Sequence, residues 1–403
     1  MTRSSPRQAV IMTSVALGAL CAGAGVANAG DGFTQNNLIS NIQGLAATTD
    51  SSLVNPWGVS FANGSPIWIS DQGTSTSILP SVVGSTVSEN FTVSIPPGGA
   101  GTGPTGQVDN AMGMGFNVSK ASGGNGAPAD FIFANLNGSI SAWNGAPTTA
   151  NAFTQTSVAG ASFTGLAINQ ADTELFAANT AGAGGIDVFN NAFQQISLGA
   201  NAFATPTAVS AKGLVPFNVT DLGGNVFVTY APSGHVPQTM ATAGQGAVVE
   251  FSESGGVEKT ITNNALASPW GVAIAPSSFG QFGGDLLVGN FSFVPGMADV
   301  INAFNPVTDA LVGSIDVNPG AGNTAGGLWS LVFGGSMSDG TPDTLFFTDG
   351  INGETGGLFG SLTAAPGSLS AVPEPSTWAM MLAGFGGLAL LAARRRRALS
   401  AIG

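Results

Sequence analysis

Six polar residues stand directly after short apolar runs that recur along the chain, and they are its most regular source of chemistry. These residues are Asp71, Asn135, Asn179, Tyr230, Asn290 and Asp349. If the runs are strands that end on one face, carboxylate and amide oxygens would line a rim there. Such a rim suits a calcium ion or a sugar, because hard cations take oxygen ligands and binding sites use a few convergent polar groups. Asn and Asp also close turns by bonding nearby backbone, which is their commoner use.

The glycine-rich loop 349–357 adds a second set of oxygens, at Asp349, Asn352 and Glu354. Oxygen ligands so close together in sequence would suit Ca²⁺. The loop lacks the alternating ligands and the distant glutamate of an EF-hand. Calcium is therefore the one cofactor that the sequence suggests, as a hypothesis that depends on these side chains converging.

His235 is the single histidine, in the loop 231–237 that is expected to project from the same rim. One histidine without a cysteine partner cannot build a transition-metal cluster. As a general base it would need a nucleophile and an orienting group in space, and the chain has no G-x-S-x-G elbow. The G-x-G-x-x-G match at 101–106 contains Pro104 and opens no helix, which argues against a dinucleotide site. No catalytic residue is predicted.

The elements that must position these residues form a repeat of about 50 residues. Each unit opens with a small-residue turn into an apolar strand, aligned on Gly58, Gly113, Gly165, Asn218, Gly271 and Ser330. A second strand ends at the polar residue, a third ends at an aromatic, and an outer strand follows. Six such units predict an all-β fold, a six-bladed β-propeller over residues 30–362. Because blades bury their faces only against neighbours, segment 36–42 is predicted to complete blade six.

Three stretches of the repeat, 37–61, 268–291 and 327–362, resemble a family of secreted bacterial propellers that is related in shape to NHL propellers. The resemblance spans roughly residues 36–362. It implies the propeller fold and export, and the family has no established reaction from which site residues could be carried over.

The charge of the chain excludes one class of partner. Charged residues make up 8% of the sequence and hydrophobic residues 43%. Between Gly30 and Val372 there are three lysines against 21 acidic residues, a formal charge of −18. Such a surface repels phosphate backbones and lacks the counterion-release term that drives nucleic-acid binding. Nucleic acid is therefore not a predicted partner.

The first 29 residues predict a secretory signal peptide. Arg3 and Arg7 form a positive start, residues 9–22 are apolar, and Ala27 and Ala29 form an A-x-A cleavage site. Signal peptidase is thus a predicted partner. The one cysteine, Cys21, lies inside this segment, so the mature protein would have no disulfide or cysteine-based metal site.

The C-terminus has three successive parts after a linker at 363–371: Pro373-Glu374-Pro375, an uncharged stretch at 377–393, and an arginine run of Arg394, Arg395, Arg396 and Arg397. The stretch is just long enough for a membrane helix. The arginines would keep the C-terminus cytoplasmic and the propeller on the periplasmic side. Residues 372–400 closely resemble the PEP-CTERM sorting signal. That resemblance implies recognition by an exosortase-type transpeptidase, a transient inner-membrane anchor and a Gram-negative, exopolysaccharide-producing source.

The sequence therefore predicts an exported propeller that serves as a binding or structural component of the cell surface or extracellular matrix, with polysaccharide as its suggested partner. The alternative is a calcium-dependent hydrolase, lactonase or lyase, with Asp71, Asn135, Asn290 and Asp349 as channel ligands. Convergence of three or more of these oxygens on one point would favour the enzyme. Separate turn hydrogen bonds would favour the binding protein.

Overall fold

The computed structural model describes residues 26–29, 32–99, 101–145 and 150–365. In this part of the chain six β-sheets form a ring, and the inner strand of each sheet contacts that of the next until the last meets the first. The predicted all-β, six-bladed propeller is therefore confirmed. No helix within the described ranges is long and apolar enough to cross a membrane. The predicted helix at 377–393 and the residues around it lie outside those ranges.

Three strands precede the first blade: β1 (Val26–Ala29), β2 (Phe33–Ser40) and β3 (Thr48–Thr49). β1 pairs antiparallel with β2 and includes both alanines of the predicted cleavage site. Cleavage after Ala29 would therefore remove β1 from the sheet and leave β2 in place.

Blades one to three each contain four antiparallel strands, which follow one another in chain order from the axis outward. Blade one comprises β4 (Pro56–Ser60), β5 (Trp68–Asp71), β6 (Thr76–Val83) and β7 (Thr86–Ser94). Blade two comprises β8 (Pro104–Asp109), β9 (Phe131–Asn135), β10 (Ser139–Trp143) and β11 (Phe153–Ser157). Blade three comprises β12 (Phe163–Ile168), β13 (Glu174–Asn179), β14 (Gly185–Asn190) and β15 (Gln195–Ile196).

Blades four to six follow the same plan. Blade four comprises β16 (Leu214–Asp221), β17 (Asn225–Pro232), β18 (Ala247–Ser252) and β19 (Val257–Ile261). Blade five comprises β20 (Pro269–Ile274), β21 (Leu286–Asn290), β22 (Val300–Phe304) and β23 (Leu311–Asp316). Blade six comprises β24 (Leu328–Phe333), β25 (Leu345–Asp349) and β26 (Leu358–Ala364), with β2 as its fourth, outer strand. Short helices interrupt the loops: α1 (Thr207–Ser210), α2 (His235–Thr239), α3 (Ile351–Glu354), and 3₁₀ turns at Lys120–Ser122 and Gly280–Phe282.

The two ends of the propeller sequence meet in blade six. β2 pairs antiparallel with β26, from Phe33 opposite Ala364 to Ser40 opposite Leu358. This pairing confirms the prediction that the N-terminal segment supplies the outer strand of blade six. The strand begins at Phe33 rather than at the predicted residue 36, and β26 takes two residues of the predicted linker.

Apolar packing between neighbouring blades explains why the ring must close. One cluster of buried side chains lies at each of the six blade boundaries. At the closing boundary, Leu38 and Ile39 of β2 pack with Ile69 of blade one and Phe346 of blade six. An open ring would leave two blade faces in water, and burial of apolar area is the dominant favourable term in folding.

The inner strand of blade two lies earlier in the chain than the sequence pattern indicated. Residues 111–116, aligned there on Gly113, form no strand, and β8 occupies the inner position instead. Pro104 opens β8 as Pro56 and Pro269 open β4 and β20. Proline is tolerated at the first position of a strand. The segment that begins at Pro104, which resembles a turn in sequence, is therefore the third inner strand that starts with Pro-x-Gly.

The glycine of that start has a steric reason. A Cβ on Gly106 would lie 2.2 Å from the backbone nitrogen of Leu166 in blade three. On Gly271 it would lie 2.3 Å from the carbonyl oxygen of Trp329 in blade six. Neighbouring inner strands therefore approach most closely at this level of the ring, where each inner strand also carries a break in register.

We expect Gly106→Ala to destabilise the fold by about 3 kcal/mol, because the new methyl group meets backbone rather than a movable side chain. Gly113→Ala is the matched control: its Cβ meets nothing within 4 Å, and its φ of +60° costs only about 1 kcal/mol. Urea unfolding of both variants measures the difference. An equal loss, or a larger one at Gly113, would contradict the assignment of β8 as the inner strand.

Candidate functional site

The six polar residues predicted to form a rim occupy equivalent positions at one end of the ring. Five of them pair with the residue that opens the inner strand of their own blade, as Asn135 does with Pro104 and Asn290 with Pro269, and Tyr230 pairs with Pro216, the third residue of β16. All except Asn179 are completely buried. The repeat therefore places these residues at the same level of the ring, but they lie inside the blades and not on an open surface.

The three asparagines of this set bond nearby backbone. Asn290 accepts a hydrogen bond from Ala267 N at 3.1 Å and donates to Ala265 O at 2.8 Å. Asn179 accepts from Ser162 N and Ala181 N, and Asn135 donates to Ser139 O. These contacts are the turn-closing bonds of the alternative interpretation. Asp71, in the same position, accepts a bond from Thr76 Oγ1 at 3.3 Å.

Just inside this end, an aromatic cluster fills the axis of the ring. Trp57 and Trp329 stack with ring centroids 3.5 Å apart, and Trp270 meets both edge-on. Phe217 and Phe291 complete the cluster. Trp57 and Trp270 belong to the Pro-Trp-Gly starts of β4 and β20, whereas Trp329 follows Leu328 at the start of β24.

His235 lies above this cluster and pairs with Glu354. His235 Nε2 donates to Glu354 Oε2 at 2.9 Å, which joins a loop of blade four to a loop of blade six. Glu354 Oε1 accepts from Asn55 Nδ2 at 3.1 Å, and Asn55 Oδ1 accepts from Trp329 Nε1 at 3.0 Å. The hydrogen bond to Glu354 raises the pKa of His235 above its ordinary value, although partial burial opposes the change. Glu354 has a φ of +65°, uncommon for a residue with a side chain.

The three residues proposed for calcium do not point to a common centre. Asn352 Oδ1 accepts from Thr324 N at 2.8 Å, and its amide nitrogen donates to Asn323. Glu354 is engaged with His235 and Asn55, while Asp349 lies in the interior. Among the residues that the structure describes, no group of three or more His, Cys, Asp or Glu side chains is arranged to hold a metal.

The opposite end of the axis is open. A cavity of about 400 Å³ is lined by the second halves of all six inner strands. Trp270 and the closely packed backbone at Gly58 and Gly106 form the floor of this cavity. The cavity is therefore closed at the end that faces the aromatic cluster. Its wall is mainly aliphatic, including Leu166 and Val272.

Two carboxyl groups stand at the mouth of this cavity, Asp109 at the end of β8 and Asp221 at the end of β16. Burial raises the pKa of Asp109 to about 6, and the charge of Asp172 adds to the effect. Burial also raises the pKa of Asp221, although bonds from Gly224 N and Gln170 Nε2 counteract it. The sequence analysis did not identify these two residues, because it considered only the polar residues at the ends of the second strands. Asp109 and Asp221 could have been found as aspartates at the ends of inner strands.

A sequence comparison identifies the type of signal at the C-terminus. Residues 371–397 match the family described as the PEP-CTERM protein-sorting motif. This chain carries a PEP-CTERM sorting signal. The prediction for the segment around Pro373, Glu374 and Pro375 is thereby confirmed. The signal marks a secreted, surface-targeted protein of Gram-negative bacteria and implies processing by an exosortase-type system.

Comparisons of the propeller are more distant. No curated protein matches the chain. A solved structure described as a streptogramin B lyase matches with a TM-score of 0.48 and 11% identity, over 83% of this chain and 98% of that chain. A protein of unknown function from Bacteroides thetaiotaomicron matches with a TM-score of 0.47 and 11% identity, over 83% of this chain and 76% of its own. Neither likeness bears on the chemistry of this chain.

The His235–Glu354 pair predicts the titration of the single histidine. We expect a pKa above the ordinary 6.5 and a return toward that value in Glu354→Gln. Because the folded pKa is the raised one, the stabilisation from the pair is complete below pH 6.5 and is lost as pH rises through the folded pKa. The imidazole NMR signal of His235 measures this without overlap, since the chain has no other histidine.

Glu258→Gln removes the same charge from the exposed strand β19 and serves as the control. An unchanged His235 pKa in Glu354→Gln would show that the contact does not persist in solution.

Proposed function

We propose that this protein is an exported binding component of the cell surface or exopolysaccharide matrix, and that the blind axial cavity holds its ligand. The proposal is supported by the combination of an aliphatic wall and carboxyl groups at the mouth of the same cavity. Small-molecule sites are typically concave and mostly apolar, with a few polar groups that fix orientation. The volume of about 400 Å³ falls within the range of roughly 300–1,000 Å³ of such sites.

The charge at the mouth indicates which sugars would enter. The Asp109 carboxylate can accept hydrogen bonds from hydroxyl or amino groups, and Asp221, whose Oδ1 already accepts bonds from Gln170 and Gly224, adds negative charge beside it. The formal charge of −18 between Gly30 and Val372 opposes the approach of an anionic chain. The ligand favoured by this arrangement is therefore the end or a side group of a neutral or amino-sugar polysaccharide.

The sorting signal supplies the setting for this binding. Before processing, the stretch 377–393 would hold the chain in the inner membrane with the propeller on the periplasmic side, because the arginine run keeps the C-terminus cytoplasmic. Removal of the tail by the exosortase-type enzyme would then place the propeller at the cell surface or in the matrix.

An enzymatic role receives less support. A calcium-dependent hydrolase or lyase needs oxygen ligands that converge on the channel, and the three asparagines of the predicted rim bond turn backbone instead. A channel that is filled at that end by Trp57, Trp270 and Trp329 also leaves no space there for a substrate.

Binding at the cavity is testable with a glycan array and a pull-down of matrix polysaccharide, using residues 30–372. We expect retention of neutral or amino-sugar polymers, and affinity weakened about tenfold or more by Asp109→Asn, because a hydrogen bond to a charged group contributes about 1.5–3 kcal/mol. Asp221→Asn should weaken affinity less, because it removes only the nearby charge. Asp316→Asn, on exposed β23, removes the same charge as a control. Equal retention by all four proteins, or none by the wild type, would overturn the proposal.

Processing is tested separately by changing Pro373-Glu374-Pro375 to three alanines in the native host. We expect this variant to keep its C-terminal tail and remain in the membrane fraction, while the wild type loses the tail. Alanines at Pro366, Gly367 and Ser368 in the preceding linker provide the control. Intact-mass analysis of both fractions distinguishes the outcomes, and tail removal from the variant would show that the motif is not what the enzyme reads.

A further inference from the structure

Two carboxyl groups lie buried together where blade five meets blade six. Asp299 stands in the loop before β22 and Asp349 ends β25. Asp299 is 1% exposed and Asp349 is 0% exposed. Neither residue contributes to the axial cavity or to the His235–Glu354 pair.

Three of the four oxygens of this pair have no donor. Asp299 Oδ1 accepts a hydrogen bond from Gly326 N at 2.8 Å. Asp299 Oδ2 and both oxygens of Asp349 are buried and accept no hydrogen bond from an N–H or hydroxyl group of the residues that the structure describes, and the two carboxyl groups lie within hydrogen-bonding reach of each other. Buried polar atoms nearly always have a partner, so three orphans in one place require an explanation.

Blade five shows what the same position does with an ordinary partner. Asn290 pairs with Pro269 and accepts from Ala267 N, two residues before that strand opens. The corresponding donor in blade six is Gly326 N, two residues before Leu328. That donor is bonded to Asp299 of the neighbouring blade. Asp349 therefore places a carboxyl group where turn closure needs only an amide, and it lacks the donor that turn closure uses.

Two carboxylates cannot both stay ionised at this depth without a positive partner. Burial raises the pKa of Asp299 to about 7, and burial together with the charge of Asp299 raises the pKa of Asp349 well above its usual range. One shared proton would join two of the oxygens and leave the third without a partner. A divalent cation would neutralise both groups and use all three oxygens.

We propose that Asp299 and Asp349 bind a divalent hard cation, and that in an exported protein this cation is Ca²⁺. Calcium accepts carboxylate oxygens along with backbone carbonyls and water, so two acidic side chains suffice as the protein's charged ligands. The site differs from the loop set predicted from sequence, because Asn352 and Glu354 are engaged elsewhere and Asp299 replaces them. Its effect would be to tie blade five to the blade that closes the ring.

The test uses the full chain, purified in detergent, stripped with EDTA and dialysed at pH 7.5. Extracellular calcium modules bind with dissociation constants of about 10⁻⁴–10⁻³ M. Addition of 10 mM (roughly 10–100 times such a constant) CaCl₂ should raise the unfolding temperature by about 5 °C. Equilibrium dialysis with ⁴⁵Ca should find about one ion per chain.

Asp299→Asn and Asp349→Asn should each abolish the calcium shift and the bound ion. Asp349→Asn installs the side chain that blades two, three and five carry at this position, so it should fold and unfold in EDTA no lower than the wild type. Asp316→Asn should keep the full shift.

Two results would overturn the proposal. An unchanged unfolding temperature and no bound ⁴⁵Ca in the wild type would mean that the two carboxyl groups share a proton. A shift that persists in both Asp299→Asn and Asp349→Asn would place calcium elsewhere on the chain.

Discussion

The structure depends on the contact between blade faces. A single blade is a small sheet that is apolar on both sides, and each side is covered only by the next blade. Six boundaries must therefore be filled at once, and the last of them is filled through pairing of β2 with β26. The N-terminal strand is thus a structural part of the last blade, which makes the ends of the propeller sequence one element in space.

Closure of six blades around one axis also determines where a ligand can bind. The inner strands approach so closely at the level of Gly106 and Gly271 that a methyl group has no room. On one side of this level the tryptophans fill the axis, and on the other side the strands diverge into the cavity with Asp109 and Asp221 at its mouth. The arrangement leaves an open end on the axis, with aliphatic walls and acceptor groups at its mouth.

The repeating pattern of the sequence predicted those parts of the structure that depend on residues close together in the chain. The strand ends at Asn135 and Asn290, the unit length and the closing strand all follow from periodicity and from the need to cover blade faces. The inner strand of blade two was misplaced because Pro104 and its flanking glycines look like a turn, although they repeat the Pro-x-Gly start of β4 and β20. The glycine of the Pro-x-Gly start is explained by the close approach of a neighbouring inner strand, which the sequence alone does not show.

The polar pairs could not be predicted in the same way. His235 and Glu354 come from blades four and six, and Asp299 and Asp349 come from blades five and six. Each pair is formed only when separate blades have packed into place, so no spacing along the chain indicates it. The most direct test of the account is hydrogen–deuterium exchange of the propeller with and without the polysaccharide that it retains. Ligand binding in the axial cavity should protect the peptides that end the inner strands, including those with Asp109 and Asp221. Protection confined to the His235–Glu354 side or to the outer strands would contradict it.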